Sequence, residues 1–131
     1  MTYLCNKIAV MDFDGLISDI NPPVQTRGAA IAKTAAKETY KRGSIMAKSS
    51  ADGRLYILGE PAAGGDVLTP DCVLCDDTVT DVAQDLPVVV YTAGCFNPEK
   101  TSVKSGYDIT EADKDKLRER GIVFKAAFPA N

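Results

Sequence analysis

The stretch "LPVVVYTAGC", residues 86 to 95, decides how this chain is to be folded. Val88, Val89, Val90 and Tyr91 form a β-branched and aromatic run, a composition suited to a pleated and half-buried surface. Pro87 stands at the entrance, where a missing N–H does least harm to a ladder. The run predicts a strand. Read with its neighbours, it sets the class as α+β and predominantly β.

Upstream, "GSIMAKSSADGRLYIL" reads as a hairpin, with strands near Ser44–Lys48 and Arg54–Leu58. Its turn is "SADG", because Gly53 accepts a positive φ without steric cost. "GEPAAGGD" is a loop, broken by paired glycines and a proline. "DCVLCDD" predicts a short strand buried on both faces. Between Gly28 and Tyr40, "GAAIAKTAAKETY" leaves two readings open: its Ala and Lys content favours helix, yet it carries no apolar stripe at helical spacing.

Downstream, "CFNPEK" is a turn and one short surface helix follows. Thr110 can cap it, Asp113 completes a box-like pattern, and acids precede bases as the macrodipole prefers. Gly121 supplies the left-handed stop, and Ala112 with Leu117 offers the only core face. "IVFKAAF" returns as a last strand. Residues 1 to 28 carry "DFDG" and "INPP" and no sustained periodicity, so they read as an extended arm ahead of a β-rich domain over 29 to 131. "IAV" and "LISDI" are its apolar pieces.

Totals narrow the function classes. A chain of 131 residues, 45% hydrophobic and 25% charged, fits one globular domain with a real core. No apolar run approaches the roughly 18 residues a membrane helix needs, and nothing N-terminal reads as a signal peptide. The expectation is a protein made in the cytoplasm with reduced thiols, and no membrane partner. A net charge of −3 and a pI near 4.9 argue against a nucleic-acid grip. With no histidine, Ser/His and Cys/His nucleophile systems and the usual His-containing metal triads cannot be built.

Two motifs still suggest chemistry. "IAVMDFDGLISD" resembles the first motif of the haloacid-dehalogenase phosphatases, with Asp12 as nucleophile and Asp14 as general acid beside magnesium. That family usually follows Asp-x-Asp-Gly with Thr or Ser, where this chain has Leu16, and it needs alternating strands and helices. A Gly turn with solvated carboxylates is the simpler reading. "CVLC" could hold zinc or act as a redox pair through Cys72 and Cys75. On a strand, residues i and i+3 face opposite sides, so Cys72 with Leu74, and Val73 with Cys75, would instead fill two faces. Asp76, Asp77 and Glu99 read as solvated strand ends. We therefore expect no enzyme, no cofactor and no metal.

Several motifs in order carry a more specific resemblance: "YKRGSIMAKSSADGRLYIL", "LTPDCVLCDD", "VVVYTAGCFNPEK" and "SGYDITEADKDKLRERGIVFK". Together they resemble the lambda-D-like head decoration, or capsid cement, proteins of tailed bacteriophages, over about Val24 to Phe128. The resemblance implies a compact β-tulip-like domain and homotrimers at three-fold and quasi-three-fold sites on the outer surface of the expanded shell. The partner would be the major capsid protein, and the location the virion. It also implies an N-terminal arm as the capsid-binding element. Met11, Phe13, Leu16, Ile17 and Ile20, with Pro22 and Pro23 stiffening the chain, are the arm residues expected to make that contact.

Overall fold

A computed structural model describes residues 15–19, 22–61 and 65–125. Its strands are β1 (Ile17–Asp19), β2 (Gln25–Ile31), β3 (Thr39–Tyr40), β4 (Ile45–Ser49), β5 (Leu55–Ile57), β6 (Leu68–Leu74), β7 (Thr78–Val79), β8 (Leu86–Phe96) and β9 (Ile122–Phe124). The helix α1 spans Glu111–Glu119, and a 3-10 turn covers Pro98–Lys100. The protein is predominantly β, as its sequence predicts.

Five strands close on themselves. β8 pairs with β2, β2 with β5, β5 with β4, β4 with β6, and β6 returns to β8, giving a small barrel-like sheet. Closure removes sheet edges, and alternation along each strand fills the interior. Val88 and Val90 of β8, Ile31 of β2, Met46 of β4, Leu55 and Ile57 of β5, and Cys72 and Leu74 of β6 form that filling. Burying side chains of this size contributes about 1.5–3 kcal/mol each. Val89, between the two inward valines, points out and is half exposed.

A second core lies on the outer face of β4 and β6. Ile45, Ala47, Val73, Cys75, Tyr91 and Phe96 are covered there by Leu117 of α1, Ile122 of β9, and Leu16 and Ile17 at the start of the described chain. The helix is placed by its caps. Thr110 Oγ1 accepts from the Asp113 N–H at 3.1 Å, and Asp113 Oδ2 accepts from the Thr110 N–H at 3.1 Å. Tyr107 donates a short hydrogen bond to the same carboxylate. Only Leu117 of the helix is buried; Ala112, expected on its core face, is exposed.

The hairpin forms at its expected place, with β4 beginning and ending one residue later than the sequence suggested and β5 trimmed at both ends. Residues 28–40 form no helix: 28–31 end β2, 39–40 supply β3, and a bend at 35–36 lies between them. Tertiary pairing overrides helix propensity there, because β2 supplies the hydrogen bonds that β8 requires along seven registered pairs.

The arm boundary expected at residue 28 does not hold. Ile17–Asp19 pairs with Cys95 and Phe96, and Gln25–Gly28 pairs with Ala93 back to Val89. Leu16 and Ile17 are 1% and 6% exposed inside the second core, so they serve the domain itself rather than a partner. The physical reason is β8: a strand of eleven residues presents more edge than a barrel of short strands can satisfy.

Candidate docking surface

The chain enters β1 and leaves β9 at the same end of β8. β1 runs antiparallel to β8 with Ile17 opposite Phe96, while β9 runs parallel with Phe124 opposite Phe96. Two strand spacings, about 10 Å, therefore separate the point of entry from the point of exit. Lys125 Nζ reaches Asp19 Oδ2 at 3.1 Å across β8, tying the two outer strands together. Residues 32–34 and 81–85, by contrast, meet beside Leu86 at the other end of β8.

Local chemistry fixes the entry. Gly15 turns with a φ of +77°, and the Leu16 carbonyl accepts from the Asn97 N–H at 2.7 Å. Asn97 in turn caps the 3-10 turn through its side chain on the Glu99 N–H. A Cβ on Gly43 would stand 2.5 Å from the Lys100 carbonyl and 3.1 Å from Leu16 Cδ1, so only glycine permits this approach. On the exit side, the Lys125 N–H donates to the Phe96 carbonyl at 2.9 Å. A shallow pocket formed by Pro98, Lys114, Arg118, Ile122 and Phe124 lies beside β9.

The expected contact residues divide in three. Met11, Phe13 and Ile20 lie outside the described residues, as do Asp12 and Asp14. Leu16 and Ile17 are buried. Pro22 is half-buried and Pro23 exposed, in the link between β1 and β2. Val24, just beyond them, packs on the second core and stands close to Gly94.

The two cysteines of "CVLC" lie in different cores. Cys72 joins the barrel interior and Cys75 the outer-face core, as strand alternation predicts, so they do not converge on one ion. Burial pushes both thiols up, Cys75 to about 11 with Asp76 adding to it, which keeps them protonated and poorly nucleophilic. Among the described residues no group of three or more His, Cys, Asp or Glu side chains is placed to hold a metal. Asp77 is engaged structurally, accepting from the Arg42 N–H at 2.7 Å. The described residues have one helix and a largely antiparallel sheet, not the layered parallel architecture that the phosphatase motif requires.

Sequence reasoning missed one polar cluster. Asp71 of β6 is 1% exposed and meets Arg27 Nη2 at 3.0 Å and Arg120 Nη1 at 2.9 Å. The three residues are far apart in sequence, and the only sign was an aspartate inside the otherwise apolar "TPDCVLC". No protein-family model matches the chain, and no curated protein does. Among the described residues no helix is long and apolar enough to cross a membrane.

Proposed function

We propose that this protein is a structural component of a virion, a head decoration protein that docks on the outer surface of an expanded phage capsid and stabilises the shell. One observation carries most weight: β1 begins and β9 ends at a single end of the sheet, both beside Phe96. The ordered motifs that resemble the capsid cement proteins support the same reading. In its finer form the proposal includes a β-tulip-like fold and trimers at three-fold sites, with the major capsid protein as partner.

The mechanism is linkage. A ligand that binds only the assembled shell stabilises that state by mass action. An arm adding to a capsid strand gains about 0.5–1.5 kcal/mol per hydrogen bond and spends about 1–2 kcal/mol per residue on ordering. One arm alone binds weakly. Three arms on one trimer make later contacts intramolecular and raise avidity by roughly 10²–10⁴. Because Leu16 and Ile17 belong to the domain core, the apolar anchors left are Met11, Phe13 and Ile20.

The test is a deletion of residues 2–14, which spares β1 and β2. Full-length protein added to expanded, undecorated shells is expected to co-sediment in a fixed ratio and raise the shell melting temperature. The shortened chain is expected to keep its circular dichroism spectrum and its own melting temperature while losing attachment. Equal binding by the shortened chain would overturn the arm's role, and no binding by either chain would overturn the proposal.

A further inference from the structure

The Arg27–Asp71–Arg120 cluster lines an open polar cleft of about 260 Å³, together with Thr92 and Glu119. Its geometry is built from several elements. Asp71 is the extra residue of a β-bulge, since Met46 opposes Cys72 while Ala47 opposes Pro70. Bulges re-aim side chains. Here the bulge turns a carboxylate inward beneath two guanidinium groups, one from β2 and one from the C-cap of α1.

The donors are not exhausted. Arg27 gives Asp71 a hydrogen bond through one terminal nitrogen. Arg120 Nη1 sits close to Asp71 Oδ1 but off the line a hydrogen bond needs, so that contact is electrostatic. Each guanidinium carries five N–H donors. The rest of those on Arg27 and Arg120 have no partner among the described residues, and both side chains are nearly half exposed, at 48% and 45%. Arg27 and Arg120 offset Asp71 and Glu119, so the cleft carries no net charge until Glu119 turns to solvent, and a single unit of positive charge once it has. That suits one carboxylate, held bidentately by planar forks, and is too little for a run of phosphates.

We propose that this cleft is a carboxylate-binding site, which receives an acidic side chain from a protein partner. Arg27 and Arg120 hold the incoming oxygens, Thr92 offers a hydroxyl, and Asp71 holds the two forks apart at fixed positions. Glu119 on the rim opposes the ligand and must turn to solvent. The site does not depend on the capsid reading or on the N-terminal segment.

The test is an NMR titration of the full chain, following the Arg27 and Arg120 side-chain N–H signals. The probe is acetyl-glutamyl amide, compared with acetyl-glutaminyl amide and inorganic phosphate at constant ionic strength. Saturable shifts are expected with the glutamyl compound alone. Arg27→Lys keeps the charge over Asp71 but loses the fork, and is expected to weaken binding about tenfold. Glu119→Gln leaves the buried cluster intact and is expected to tighten binding about threefold. Shifts that fail to saturate, an equal response to the glutaminyl compound, or undiminished binding in Arg27→Lys would overturn the site. Tighter binding of phosphate would overturn the carboxylate assignment.

Discussion

The two halves of β8 are held in different ways. From Leu86 to Tyr91 the strand belongs to a closed ring, with β2 along one side and β6 joining the other at Val90 and Tyr91. From Gly94 to Phe96 it is flanked by β1 and β9, each three residues long and with no further strand partner among the described residues. The first half gains its stability from an enclosed apolar interior. The second depends on short ladders and on a cover made by Leu117 of α1 with Leu16, Ile17 and Ile122. Between them the register shifts at Thr92, and Gly94 takes a φ of +149°. A single strand thus serves both as a stave of the barrel and as the mount for β1 and β9, and local stability is expected to differ accordingly.

Core truncations give the largest effects and test that division most directly. Leu74→Ala empties part of the barrel interior and is expected to cost about 2–5 kcal/mol; Phe96→Ala, under the cover, about 3–5 kcal/mol. Hydrogen exchange then separates the halves. In Phe96→Ala, the amides of β1 and β9 are expected to lose protection ahead of those of β4 and β6. Uniform loss of protection would show one cooperative unit and break the comparison.

The junction comes next in size. A Cβ at Gly94 would stand 3.0 Å from the Phe96 ring and 3.3 Å from Val24, on a backbone that L side chains avoid. Gly94→Ala is expected to cost about 1–3 kcal/mol by denaturant melt. The loss should appear first in the tail half, and an unchanged midpoint would remove Gly94 as the pivot.

The smallest effect belongs to the barrel's hairpin. Hydrogen bonds from Ser49 and Ser50, led by the Ser49 hydroxyl at 2.6 Å, hold the Asp66 carboxyl down to about 2, with the Val67 and Ala51 N–H groups adding to the effect. A depressed carboxyl contributes stability above its unfolded value near 4 and loses it as pH falls through 2. The difference in melting temperature between the parent and Asp66→Asn is therefore expected to be constant above about pH 4 and to shrink toward pH 2. A difference that stays constant to pH 2 would mean the carboxylate does not hold this turn.

Local chemistry was legible wherever one short stretch contained both halves of an interaction. The Asp52–Gly53 turn, the Thr110–Asp113 capping box, the Gly121 stop and the two-faced burial of Cys72 to Cys75 could all be read directly, because each depends on neighbours in sequence. The candidate sites were less readable. Leu16 and Ile17 looked like anchors for a partner because an apolar residue does not state which surface will cover it, and β8's unpaired edge claimed them. Ala112 was misplaced because a helix with few apolar residues leaves its facing to the sheet beneath.

By itself the sequence determined strand character, turn positions, the caps of α1 and the absence of imidazole chemistry, all of which follow from side-chain type and spacing. The tertiary structure alone decided that β6 returns to β8 to close the ring, that residues 25–31 become a strand, and that Arg27, Asp71 and Arg120 meet. Those outcomes depend on hydrogen bonds and charges between residues as much as 93 positions apart (27 to 120), which no local pattern encodes.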